Sequence, residues 1–237
     1  MKLHHIIFIL SLIFSSNALS TPYLTEENLP NVVSFLPLPP SPNTKEFAND
    51  QLQYEWGKSI RNTQRGEQAI EDASHELQYI ANIFTAPANI QVSPSNAPHL
   101  FKLLKNISDT TAIASTKAKS HYHRQRPFAY FNEPTPIPQS EKRYFKRNSY
   151  PSGHTIIGWT NALIFASLLP QYQTEILKRG YEYGQSRVIV GYHYQTDVDA
   201  SRLISSALVT KLFQDKVFLQ DFNTAKQELT KLSQSHP

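Results

Sequence analysis

The stretch at residues 155–169 constrains the fold more than any other. It is apolar on nearly every face (Ile156, Ile157, Trp159, Ala162, Leu163, Ile164, Phe165 and Leu168), and Pro170 ends it. A helix without a polar face must be covered on all sides. At some fifteen residues it falls short of the roughly 20 that span a bilayer, so the cover must be protein. The rest of the chain offers helices for this. Spaced apolar residues from 47 to about 84 (Leu52, Trp56, Ile60, then Ala69, Ile70, Ala73, Leu77, Ile80) predict two helices with a break near 62–66. Pro87, Pro94 and Pro98 mark a loop, and 99–123 reads as a helix ended by Pro127. Residues 129–149 are polar and proline-punctuated, a long surface loop of the kind that carries function. Residues 174–190 read as a helix, although Val188-Ile189-Val190 also suits a strand, and Gly191 is placed to cap it. Asp197 is expected to cap a last core helix bearing Leu203, Ile204, Leu208 and Leu212. The fold class is therefore all-α: a single compact helical domain around a buried central helix.

Length and composition fit this. The chain has 237 residues, 40% apolar and 18% charged, enough for one core, and no repeat period that would suggest a solenoid. Residues 1–20 resemble a secretory signal peptide: Lys2 at the positive end, an apolar run at 6–14 broken only by Ser11, then Ala18-Leu19-Ser20 before Thr21. The apolar run is too short for an anchor, so no membrane span is expected after its removal, and the protein is expected in the periplasm or outside the cell. Residues 21–44 hold six prolines and read as an extended N-terminal arm, which leaves 45–237 for the helical domain. There is no cysteine, which excludes disulfides, thiolate metal sites and cysteine nucleophiles. The full chain carries a net +4, and Lys2 is the signal's one charged residue, so +3 remains. That is too mild to argue for a nucleic-acid partner.

Three blocks carry chemistry: Lys119 with Arg126-Pro127, Pro151-Ser152-Gly153-His154, and Ser186-Arg187 with His193 and Asp197. Singly, each has an ordinary reading as a solvated helix face, a turn, or an ion pair. Together they are complementary. Lys119, Arg126 and Arg187 suit an anion with several oxygens, because arginine forks bind phosphate bidentately and lysine adds a point charge. Ser152-Gly153-His154 opens the buried helix, whose free N–H groups and dipole favour an anion. Of two histidines and a carboxylate, one imidazole can attack phosphorus, the carboxylate can hold its tautomer, and the other imidazole can protonate a leaving oxygen.

These blocks resemble the signature of the type-2 phosphatidic acid phosphatase and vanadium haloperoxidase superfamily, Lys-x6-Arg-Pro, Pro-Ser-Gly-His, Ser-Arg-x5-His-x3-Asp, with every specified position present. Over roughly residues 33–230 the chain resembles the bacterial class A nonspecific acid phosphatases. The carrying segments are Leu36-Pro37-Leu38-Pro39-Pro40, Arg61-Asn62-Thr63-Gln64-Arg65-Gly66, Glu71-Asp72-Ala73, and Gly180-Tyr181-Glu182-Tyr183-Gly184-Gln185-Ser186-Arg187 running on to Gly191-Tyr192-His193-Tyr194-Gln195. The resemblance implies an all-helical periplasmic hydrolase, usually homo-oligomeric, acting on many phosphomonoesters with no metal or other cofactor. It implies the active site at helix ends and loops. His193 would be the nucleophile forming a phosphohistidine, Asp197 its orienting partner, and His154 the general acid and then base. Lys119, Arg126, Arg187, the Ser152 side chain and the N–H groups of Ser152 and Gly153 would hold the phosphoryl oxygens. Inorganic phosphate would bind, vanadate would inhibit, and phosphotransfer to other alcohols would compete with hydrolysis. Two departures, Tyr194 where many relatives have tryptophan and the proline-broken stretch 84–92, are expected to reshape the pocket rim. A lipid phosphatase would need several spanning helices. A vanadate-dependent haloperoxidase would use the same residues in a longer chain. A phosphate-binding protein would need the cations but neither His154 nor the His193–Asp197 pair.

Overall fold

The computed structural model describes residues 21–234, so the signal expected at 1–20 lies outside the described residues. Those residues form ten α-helices and no strand: α1 Lys45–Ser59, α2 Gln64–Glu71, α3 Leu77–Thr85, α4 Pro98–His121, α5 Pro127–Tyr130, α6 Pro138–Tyr144, α7 Gly153–Leu168, α8 Gln173–Ile189, α9 Gln195–Leu212 and α10 Lys216–Gln234. The apolar stretch of the sequence is α7, and none of its residues is exposed. It packs against α8, α9, α4, α3 and α10. Ile156, Ile164 and Phe165 are fully buried, each contributing about 1.5–3 kcal/mol by leaving water. Contact with α8 is close because it needs the absent side chain of Gly158, where a Cβ would lie 2.1 Å from the Tyr183 ring. No helix among the described residues is long and apolar enough to cross a membrane.

Several elements differ from expectation. Residues 47–84 form three helices, not two. Thr63 caps α2 by accepting from Gly66 N–H, and a second break at 72–76 turns Asp72 inward. The loop at 129–149 contains α6. Val188 and Ile189 are helical, so the strand alternative is not realised, and Gly191 turns the chain after α8 at φ 79°. The N-cap of α9 is Tyr194 and not Asp197, which sits three residues in and accepts from Tyr194 N–H. Leu203 is 46% exposed and faces away from the core. α10, not foreseen, lies across α4 with Phe218, Phe222, Ala225 and Leu229 buried.

The proline-rich N-terminal stretch is only partly extended. Tyr23, Leu24, Leu29, Val32 and Leu36 join the core, with a 3-10 turn at Val32–Ser34. Tyr23 N–H donates to Thr110 Oγ1 and its hydroxyl to Asp221.

Candidate active site

Four chain segments meet at one end of α7. The last turn of α4 carries Lys119. Arg126 precedes α5 in extended backbone, as Pro127 requires of it. Ser152 caps α7, its Oγ accepting from Thr155 N–H at 3.2 Å. The last turn of α8 brings Arg187, and the Gly191 turn swings His193 back beside it before α9 begins with Asp197 near its start. A Cβ at Gly153 would fall 2.6 Å from Ser115 Oγ, so glycine lets the start of α7 lie against α4 beside Lys119 without moving that hydroxyl. Lys119, Arg126, Gly153, His154, Arg187 and His193 line a common cavity of about 300 Å³.

Asp197 stands behind His193. Its Oδ2 accepts from His193 Nδ1 at 3.2 Å, Ser149 Oγ at 2.5 Å and Tyr194 N–H at 2.9 Å, and its Oδ1 from Arg124 Nη1 at 2.7 Å. The neighbouring His193 and Arg124 and the Ser149 hydroxyl hold this fully buried carboxyl well below the usual carboxylate range, against the opposing effect of burial. An ionised Asp197 puts the imidazole hydrogen of His193 on Nδ1 and the lone pair on Nε2. That nitrogen faces Arg126 Nη1 at 3.0 Å. Burial, then the Arg126 charge, lowers His193 well below the ordinary histidine value, so its ring is neutral in mild acid.

His154 is fixed differently. Its Nε2 bonds the backbone carbonyl of Asp72. A carbonyl can only accept, so Nε2 carries the hydrogen and Nδ1 is the nitrogen left for proton exchange. The ring stacks on Tyr183 at 4.5 Å between centroids. Asp72 is itself locked: its carboxylate accepts from Tyr79 OH at 2.7 Å, Ser186 Oγ at 2.6 Å and both terminal nitrogens of Arg179. Burial and the Arg187 charge lower His154 well below the ordinary value. A bound anion offsets the second of these causes.

The cations of the cavity differ from Arg124 and Arg179. Arg124 bridges Asp50 and Asp197, and Arg179 holds Asp72. Among the described residues Lys119, Arg126 and Arg187 form no ion pair. Lys119 Nζ donates to the carbonyls of Asn148 (3.0 Å), Ser149 (3.1 Å) and Pro151. Burial, with Arg126 beside it, lowers its pKa to about 7. Arg126 reaches the carbonyls of Tyr192, Arg147 and Asn148, and burial with the Arg187 charge lowers it to about 10. Arg187 lies over the Tyr192 ring at 4.9 Å, and its buried Nε and Nη1 have no hydrogen-bond partner. Isolated charge in a protein interior is costly. Three such cations around one lone-pair nitrogen form a site for a multiply charged oxyanion. Among the described residues no group of three or more His, Cys, Asp or Glu side chains is arranged to hold a metal ion.

Sequence comparison agrees with this chemistry. The PAP2 superfamily profile matches residues 105–219, which contain all eight expected site residues. A non-specific acid phosphatase of Providencia stuartii is 43% identical over 211 residues, 89% of this chain and 85% of that protein. The chain belongs to the PAP2 superfamily. A non-specific acid phosphatase of Salmonella typhimurium is 34% identical over 97% of this chain and 93% of its own length. An acid phosphatase of Zymomonas mobilis is 32% identical over 83% and 75%.

Within this PAP2 site one expected donor, the Ser152 N–H, is engaged elsewhere, and the Ser152 hydroxyl serves as an acceptor for its own helix. Ser152 Oγ accepts from Thr155 N–H and Thr155 Oγ1, its N–H donates to Asp197 O, and it does not line the cavity. The Gly153 N–H, at the first position of α7, is the nearer free donor. Neither Tyr194 nor the stretch 84–92 lines the cavity. Tyr194 is buried, with the Arg124 guanidinium 3.8 Å over its ring. Sequence reasoning missed Arg124, Asp50, Ser149 and the role of Asp72. Arg124 stands two residues before Arg126 in the same motif, and Asp72 was noted in Glu71-Asp72-Ala73 without a role. Asp50, on polar α1, carries no sequence signal.

Proposed function

We propose that the protein is a periplasmic nonspecific acid phosphatase that hydrolyses phosphate monoesters through a phosphohistidine, after loss of residues 1–20. The reading rests above all on the unpaired cations Lys119, Arg126 and Arg187 around His193 Nε2, with ionised Asp197 behind that ring. The cations and the Gly153 N–H take the phosphoryl oxygens and stabilise the charge spread over them in the transition state.

His193 Nε2 attacks phosphorus as the ester P–O bond breaks. The electron pair goes to the leaving oxygen, which takes a proton from His154 Nδ1. The new charge on His193 is balanced by Asp197. Neutral His154 then takes a proton from water, whose oxygen attacks phosphorus, and the P–N electron pair returns to Nε2. An alcohol in place of water gives phosphotransfer. Two histidines used in opposite protonation states produce a rate that falls on both sides of an optimum.

The test is p-nitrophenyl phosphate hydrolysis by mature protein dialysed against EDTA, with vanadate titrated in. Full activity and competitive inhibition are expected, since five-coordinate vanadium resembles the transition state. Activity restored only by added metal, halide oxidation in place of hydrolysis, or phosphate binding without turnover would overturn the proposal.

A further inference from the structure

The cavity has a basic rim that the reaction at His193 does not use. α6 and the residues after it carry Lys142, Arg143, Lys146 and Arg147, all exposed. The acid among them, Glu141, is occupied with Thr135 N–H and Oγ1. None of the four cations forms an ion pair among the described residues. Of these four, Arg143 lines the same cavity as His154 and His193, together with Ser140, whereas Lys142, Lys146 and Arg147 do not. Tyr144 ties the rim to the phosphate cradle. The Arg126 guanidinium lies 4.9 Å from its ring centroid and that of Arg143 5.5 Å, so one small ligand can reach both.

We propose that Arg143 is a specificity residue that binds a second phosphate on the substrate, so that the enzyme prefers small bisphosphorylated alcohols over simple monoesters. The inference rests on the phosphatase reading above and adds the substrate class. Arg126 and its neighbours hold the scissile phosphate, and these buried groups are already committed to it. A second phosphate a few bonds away cannot enter the same cradle without repulsion, but at the mouth it meets a solvent-facing guanidinium with no acid to compete. Arginine's planar fork can take two phosphate oxygens at once, and Ser140 offers a hydroxyl beside it. The Tyr144 face limits the positions the guanidinium samples, which reduces the ordering cost of binding.

The experiment compares kcat/KM for propyl phosphate and propane-1,3-diyl bisphosphate, whose scissile groups are alike and which differ only in the distal phosphate. Wild type should favour the bisphosphate by about tenfold, the low end for a charge-assisted hydrogen bond because the rim is open to solvent. Added salt should shrink the preference. Arg143→Gln should abolish it by lowering the bisphosphate value alone, and Lys142→Gln, with the same loss of charge outside the cavity, should keep it. No preference in wild type, equal losses on both substrates in Arg143→Gln, or an equal effect from Lys142→Gln would overturn the proposal. Failure of wild type to hydrolyse propyl phosphate at all would instead defeat the phosphatase reading.

Discussion

Arg187→Met should make the protein more stable and nearly inactive. Arg187 is buried, and Nε and Nη1 have no partner. Burial lowers its pKa, with Tyr183, Tyr192, Tyr144 and Asp72 opposing. Two buried N–H-bearing atoms without acceptors cost about 1–3 kcal/mol each. Against this, the variant loses the contact with Tyr192, worth about 1–2 kcal/mol when desolvated, and its packing adjusts at up to about 1 kcal/mol. These terms run from about −1 to +5 kcal/mol and centre on a gain of about 2 kcal/mol, or a rise in Tm of about 4–8 °C for a domain of this size. No acceptor in the described structure is orphaned by the change, which favours the gain. The assay is thermal unfolding in phosphate-free buffer and again with saturating phosphate. Wild type should gain about 2.7 kcal/mol at a hundred times the phosphate Kd, and the variant little. kcat/KM should fall by about 10³-fold or more, the scale of arginines that stabilise phosphoryl transfer. A variant less stable than wild type by more than about 1 kcal/mol without phosphate, or one still stabilised by phosphate, would refute the claim that Arg187 is a cation without a bonded partner kept for the substrate.

His154→Ala should slow alkyl phosphates far more than p-nitrophenyl phosphate, by about 10²- to 10⁴-fold in relative kcat/KM, because only the alkoxide needs a proton to leave; equal losses would make His154 a positioning residue. Lys119, with its pKa near 7 in the free protein, is charged below that pH and neutral above it, so kcat/KM should fall as pH rises past about 7. Lys119→Arg should move that limb upward, and an unmoved limb would assign it to another group. Arg124→Met should destabilise the fold by about 3–5 kcal/mol, read from urea unfolding, because it leaves the buried Asp50 and Asp197 carboxylates short of their cation; a loss under 1 kcal/mol would mean the pair is not coupled as drawn.

How far the sequence disclosed this site follows from how local each signal is. α7 was legible because an all-apolar run between a cap and Pro170 has one sensible fate. The meeting of the three motifs at one end of α7 was legible because their spacing is fixed by helix ends and turns. The support beneath them was not. Asp50 reaches Arg124 and Thr196 across 74 and 146 residues, and no local pattern records such a pairing. The break before α3 was missed because 72–76 has no proline or glycine; Asp72 ends α2 to meet Arg179, Tyr79 and Ser186. The Ser152 N–H, expected to face the anion, donates instead to the Asp197 carbonyl far along the chain, a contact no local pattern records. α10 did have a signal, Phe218, Phe222, Ala225 and Leu229 at helical spacing, and its burial follows from that pattern.

Covalent phosphorylation of His193 Nε2 is open to capture by rapid mixing with a ³²P-labelled phosphomonoester followed by an alkaline quench. Protein-bound label is expected within the first turnover, stable in base, lost in mild acid, and recovered on the peptide containing His193. Label on any other residue, or a product burst with no protein-bound label, would contradict phosphorylation of His193.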